Sequence, residues 1–248
     1  NTGGTMSADM SFDGVKQTVG SSGQIYISND SGNTWVTATV SGDFLYPPNP
    51  SNVKSLDMSY DGVTQIAVSE DGILISSDSG NTWALVPNLP SNSWHDCAIS
   101  ANGVNQIATR RNGQIYMSYD SGNTWTDSDI NLPSLAWWSG VDMDELGITY
   151  AATVDTGPIF QSTSSGMGWS KTLNNVNWSS TAMSSDGTKQ TSIINGGQIY
   201  ISFDSGISWS AKASNQNWVG IAMSVDAVKQ TAITNPGNIY VSLDSGHT

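Results

Sequence analysis

Two sets of residues in this chain have types and spacings that could do chemistry. The first is acidic. Asp9, Asp57 and Asp142 occupy one position of a repeating unit, and Ala98, Ala182 and Ala222 stand there in the other copies. Carboxylates so placed could share acid–base work on a glycosidic bond, bind a cation, or line a wet channel without reacting. The second set is aromatic. Trp94, Trp138, Trp178 and Trp218 recur at one position, with Thr5 and Val53 in the two earlier copies. Asn177 and Asn217 precede two of these rings, and Asn195 and Asn235 lie in nearby turns. Indoles beside planar amides suit a sugar, whose C–H faces stack on the ring while the amides bond its hydroxyls. The competing reading is that these rings only wedge neighbouring repeats apart.

The elements that must position these residues are written six times over. Ser28 to Trp35 (SNDSGNTW) returns as Ser76 to Trp83 and as Ser118 to Trp125. Altered copies follow at Ser162 to Trp169 and Ser202 to Trp209, and a sixth starts at Ser242. An alternating apolar run such as Gln24-Ile25-Tyr26-Ile27 precedes each copy and predicts a strand. The Asp can accept backbone N–H bonds within the turn, and the Gly can take a backbone conformation closed to other residues. The Trp then returns to pack beneath the hairpin. Around this box each repeat of about forty residues reads as four short strands joined by tight turns, the pattern of a propeller blade. The fifth shows it best: Trp178 to Met183, Gln190 to Ile194, Gln198 to Phe203 and Trp209 to Ala213. The fourth deviates, with Glu145-Leu146-Gly147 in its first turn and Ser164 in place of the Asp. On alternating strands the column Met10, Met58, Ile99, Met143, Met183 and Met223 must face opposite to the Asp column. The Met column is therefore expected in the core.

Composition narrows the partners. The chain has 248 residues, 8 Lys and Arg against 21 Asp and Glu, and a formal charge of −13. Such a surface repels phosphate backbones and anionic lipid, so neither nucleic acid nor a membrane is an expected partner. No apolar run is long enough to insert into a bilayer. His95 and His247, the only histidines, fall in different repeats, so no metal site is expected. Cys97, the only cysteine, sits in an apolar stretch and reads as a buried, inert thiol. The linker from Gly42 to Asn52 carries three prolines and reads as a fixed extended loop rather than a domain boundary. Asn29-Asp30-Ser31 and Asn177-Trp178-Ser179 match the N-glycosylation pattern, a common triplet.

The S-x-D-x-G-x-x-W stretch resembles the Asp-box of sialidase-like (BNR-type) β-propellers, and the resemblance covers nearly the whole chain. It implies an all-β fold: one domain over residues 1–248, a β-propeller of six rather than seven four-stranded antiparallel blades. The last blade lacks its fourth strand in this sequence, leaving an edge that Asn1 to Gly4 or another protein chain could cover. In that family the boxes lie away from the active site, so the box aspartates carry over as structural residues. Sialidases grip their substrate with three arginines, whereas this chain has only Arg110 and Arg111, adjacent and pointing apart. Sialidase activity is therefore excluded.

The expected function is a non-catalytic, lectin-like or surface-recognition propeller with several weak carbohydrate sites on one face. Trp94, Trp138, Trp178, Trp218, Asn177, Asn217, Asn195 and Asn235 would carry them. No catalytic residue, metal or cofactor is assigned. The partner would be a glycan or glycosylated surface, and the place extracellular or at a cell or virion surface. The alternative is a structural or protein-interaction propeller in a surface, capsid or photosynthetic assembly, as Asp-box photosystem assembly factors exemplify. A glycoside hydrolase is the third reading.

Overall fold

The computed structural model describes residues 7–21, 23–42, 50, 52–91, 93–128, 132–133 and 135–247. Thr5, the Asn1 to Gly4 stretch and most of the Gly42 to Asn52 linker lie outside these. The chain divides into two compact units, Asn1–Asp127 and Ser128–Thr248, and each is described by itself.

The first unit opens with β1 (Ser7–Met10), β2 (Gln17–Ser21), β3 (Gln24–Ser28) and β4 (Val36–Thr37), an antiparallel sheet in that order. A short β5 (Thr39–Ser41) then pairs parallel with β9 of the next sheet. That sheet holds β6 (Ser55–Met58), β7 (Gln65–Val68), β8 (Ile73–Ser76) and β9 (Thr82–Leu85). The third repeat supplies β10 (Trp94–Ile99), β11 (Gln106–Gly113), β12 (Ile115–Ser118) and β13 (Thr126–Asp127), again antiparallel neighbours.

The second unit begins with β14 (Ala136–Met143), β15 (Tyr150–Val154), β16 (Gly157–Ser162) and β17 (Ser170–Val176). A five-stranded sheet follows: β18 (Trp178–Met183), β19 (Gln190–Ser202), β20 (Ser210–Met223), β21 (Gln230–Thr234) and β22 (Ile239–Ser242). Two of these differ from the sequence reading. β19 continues through Asn195-Gly196-Gly197, where a turn was expected between two strands. β20 runs from one repeat into the next, its first half paired with β19 and its second with β21. All four strand positions of the fifth repeat are thus present, but fused into fewer segments.

Small polar side chains shape the first turn of each repeat. Ser11 Oγ donates to Asp13 Oδ1 (2.6 Å) and accepts the Lys16 N–H, while Asp13 Oδ1 also accepts the Val15 N–H. The turns at Ser59-Asp61, Ser184-Asp186 and Ser224-Asp226 repeat this. In the deviant fourth repeat Asp144 Oδ1 takes the Ile148 N–H at 2.7 Å instead. Gln65, Gln106 and Gln190 then donate from the second strand to the carbonyl of the turn glycine. Tyr150 does the same through its hydroxyl, at 2.8 Å from Gly147 O. The tyrosine thus replaces the glutamine tie where the turn sequence changed.

The core between successive sheets is one packing scheme used more than once. In the first unit Trp83 is buried against Ile25 and Ile27 of the preceding repeat, with Leu56, Ala67 and Leu74. One repeat later Trp125, Ile75 and Tyr116, all partly buried, pack against a cluster that includes Ile73, Cys97 and Ala108. Cys97 is buried and free. Burial pushes its thiol well above the usual range, and the Asp96 and Asp57 charges push the same way.

Candidate functional site

The boxes are turns held by their own side chains and tied to the first turn of the repeat by a backbone bond, such as the Ser31 N–H donating to Val15 O at 3.0 Å. Ser28 Oγ donates to Asp30 Oδ1 and accepts the Gly32 N–H at 2.9 Å. Asp30 accepts the Thr34 N–H and hydroxyl at 2.8 and 2.6 Å, and Trp35 Nε1 donates to Gly32 O. Ser31 and Gly32 are both left-handed, with φ of 60° and 82°, a conformation glycine tolerates without strain. The same bonds recur at Asp78, Asp120 and Asp204. The side-chain hydroxyl and then the backbone N–H hold Asp30, Asp120 and Asp204 below the usual carboxylate range. Each carboxylate's oxygens are engaged within its own turn, which suits a structural role.

The acidic column has a different geometry from a channel lining. Asp9 Oδ2 accepts the N–H of Met58 in the next repeat at 3.0 Å. Asp57 Oδ2 accepts the Ile99 N–H at 2.8 Å, and Asp142 Oδ2 the Met183 N–H at 2.7 Å. These aspartates clasp one inner strand to the next. Burial raises the pKa of half-buried Asp9, against the pull of a hydrogen bond with Asp57 and the N–H groups of Met10 and Met58. Among the described residues, no group of three His, Cys, Asp or Glu is placed to hold a metal ion.

The tryptophan column is a correction to the expected aromatic platform. Trp94, Trp138, Trp178 and Trp218 are between 0% and 1% exposed, so none offers a face to a sugar. Each ring meets another aromatic: Tyr116, Phe160, Tyr200 and Tyr240 respectively, with centroids 5.0–5.7 Å apart. Arg110 covers Trp94 at 5.6 Å. The smaller Val53 at the equivalent position is also buried, in a cluster against which Val40 and Leu85 pack.

The four asparagines do come together. The Asn195 N–H donates to Asn177 O at 3.1 Å, Asn195 pairs with Asn217, and the Asn235 N–H donates to Asn217 O at 2.9 Å. All four are exposed, forming a continuous row in the second unit. An exposed ring that the sequence reading missed lies in the same unit. Trp137 is 54% exposed and lines a shallow groove with Pro133, Leu135 and Asp155. The signal was present, since Trp137 and Trp138 are neighbours on one strand and must face opposite sides.

The last sheet also carries exposed apolar side chains. Among the described strands β22 is its outermost, paired with β21. On it Ile239 is 73% exposed, and just past its end Leu243 is 68% exposed. Beside it lies an apolar cavity of about 200 Å³, lined by Ile199, Ile201, Trp218, Ile221, Ala232 and Tyr240 among others.

No protein-family model matches the chain, and no curated protein sequence does. Solved structures match well in shape. YCF48 from Cyanidioschyzon merolae aligns over 99% of this chain and 84% of its own, at TM-score 0.69 and 18% identity. A structure of YCF48 bound to D1 peptide aligns over 99% and 81%, at TM-score 0.70 and 18% identity. The GH74 enzyme of Niastella koreensis aligns over 99% of this chain but only 46% of its own, at TM-score 0.57 and 16% identity. The chain is all-β and has the fold of a β-propeller. At these identities the likeness carries the fold alone. Among the described residues no helix is long and apolar enough to cross a membrane.

Proposed function

We propose that this chain is a non-catalytic, six-bladed propeller that recognises an extended segment of a partner protein. The observation that carries the reading is exposed apolar surface in the second unit, the groove of Pro133, Leu135 and Trp137. The structure of YCF48 bound to D1 peptide offers a propeller precedent for a peptide ligand. The absence of catalysis is supported by the aspartate columns, whose oxygens accept backbone N–H groups. Hydrogen exchange with a panel of alternating apolar–polar peptides tests the reading. Protection at Leu135, Ala136 and Trp137 is expected. Binding that leaves those amides unprotected would overturn it.

A second reading, carbohydrate binding at a cell or virion surface, draws on the exposed asparagine row and on Trp137. Binding on a glycan array that is lost on Trp137→Ala, with melting unchanged, would favour it over the peptide.

A further inference from the structure

One backbone bond recurs where Trp137 stands, and it lines up the residues beside it. The Asp155 N–H donates to Trp137 O at 2.8 Å, the Asn195 N–H to Asn177 O at 3.1 Å, and the Asn235 N–H to Asn217 O at 2.9 Å. Asn195 and Asn217 are in turn ladder partners. β16 and β17 set the first pair beside the second through Gly157↔Val176, the counterpart of Gly197↔Gln216 between β19 and β20. The second unit thus presents one row across successive strands: Trp137, Asp155, Asn177, Asn195, Asn217 and Asn235. The first unit makes the same bond from the Arg111 N–H to Ser93 O at 2.7 Å. The turn therefore needs neither an indole nor a side-chain amide in order to form.

The bonding capacity of this row is unspent. Trp137 is 54% exposed and lines the groove with Pro133, Leu135 and Asp155. The four asparagines are exposed, and among the described residues no partner holds their side-chain amides. Among the described residues no cation pairs with Asp155, in a chain of formal charge −13. Each amide offers donors and an acceptor to whatever lies along the row. An occupant must bring an apolar ring for Trp137, a positive charge for Asp155, and backbone groups not spent on its own structure. A helix fails the last condition, because its N–H and C=O groups bond within the segment. A β-strand adds at a sheet edge rather than across strands, and its side chains return to one face roughly every 6.6 Å. A polyproline II segment has no internal hydrogen bonds and advances about 9 Å per three-residue turn. Two steps of the row, at about 4.8 Å between strands, cover nearly the same distance.

We infer that the row is a docking site for a proline-rich, basic segment of a partner protein in the polyproline II conformation. A proline ring packs on Trp137 with Pro133 and Leu135 beside it, and an Arg or Lys pairs with Asp155. Asn177 and Asn195 donate to the carbonyls of the segment. The ring supplies adhesion, and the carboxylate and amides set direction and register. This rests on the reading that the groove takes an extended segment, and it specifies which one.

The probes are the synthetic peptides PPRPLPP, PPQPLPP and TVRTLTV, added to the isotope-labelled whole protein. PPRPLPP is expected to shift the Trp137 indole N–H signal and the side-chain amide signals of Asn177 and Asn195. Trp137→Ala should weaken its binding at least tenfold, as loss of an anchoring ring does, with melting unchanged because the ring is exposed. Asp155→Asn should weaken PPRPLPP about fivefold at low salt and leave PPQPLPP unaffected. That difference should vanish at high salt, which screens exposed charges. Equal binding of TVRTLTV, with exchange protection at Leu135, Ala136 and Trp137, would overturn the polyproline inference but leave the extended-segment reading standing. Binding by none of the peptides, nor by any alternating one, would overturn both. Maltohexaose shifting the same asparagine signals when no peptide does would assign the row to sugar and overturn the inference as well.

Discussion

The second repeat of the first unit and the last repeat of the second unit are built to one plan but finished differently. In the former, Trp83 is buried beneath the box, its ring N–H bonded to Gly80 O and its strand paired with β8. In the latter, Ser242 and Asp244 still form the turn, with the Gly246 N–H on Ser242 Oγ at 2.8 Å, yet the space beneath is a cavity. The serine and aspartate bonds are local, whereas the indole joins one repeat to the next.

Removing the indole is the severest way to break this comparison. Trp83→Ala should cost about 3–5 kcal/mol in chemical denaturation, since it takes a ring from a pocket closed on all sides. Trp218→Ala removes an equally buried ring whose wall already faces a cavity, so it should cost clearly less. Equal losses would show that the cavity side is as tightly packed as the Trp83 side, and that the two repeats do not differ in the way described.

Much of this plan was legible in the sequence. The spacing of Ser76, Asp78, Gly80 and Trp83 identified the turn, because the bonds of the Ser76, Asp78 and Trp83 side chains are made within eight residues. The alternation of Gln24 to Ile27 identified the strand that precedes it. What the sequence hid were relations between repeats. Trp94, Trp138, Trp178 and Trp218 looked like an exposed platform because each follows a turn, and nothing local shows that Tyr116, Phe160, Tyr200 and Tyr240 close over them. The aspartate column was readable as a column, but not as a clasp. Its partner N–H groups belong to residues some forty positions on, as with Asp57 and Ile99. The asparagine row was visible for the opposite reason: its members sit at equivalent turns of adjacent repeats.

The next test sharpens the claim that the turn is local. Ser76 is fully buried and serves as a hub, donating to Asp78 Oδ1 and accepting the Gly80 and Asp78 N–H groups. Ser76→Ala leaves the buried Gly80 N–H without its acceptor, which costs about 1–3 kcal/mol. Ser242 makes the same three bonds at the rim of the cavity, where water can replace the lost hydroxyl. Ser242→Ala should therefore cost less than half as much in the same denaturation assay.

The smallest expected effect separates the two kinds of aspartate by pH. The box carboxylates Asp30, Asp120 and Asp204 have folded pKa values held down by a side-chain hydroxyl and a backbone N–H. Their unfolded value is about 3.9. The stability they contribute is thus fully present above about pH 4 and is lost as pH falls through the lower folded values. Asp9 has the opposite sign. Burial raises its folded pKa, so the native state holds that proton more firmly than the unfolded chain does. Its ionisation opposes folding once pH rises past the raised value, and that penalty persists at neutral pH. Asp9→Asn keeps an amide oxygen for the Met58 N–H and removes the buried charge. It should raise the melting temperature modestly at pH 7, with the gain shrinking to nothing as pH falls below about 4, where Asp9 is protonated in both states. Asp30→Asn should do the reverse, lowering the melting temperature at pH 7 with the loss fading in acid. Melting curves of the two variants and the parent from pH 2 to 8 decide the matter. Two pH profiles of the same sign would show that the inner clasp and the box hold their carboxylates by the same means.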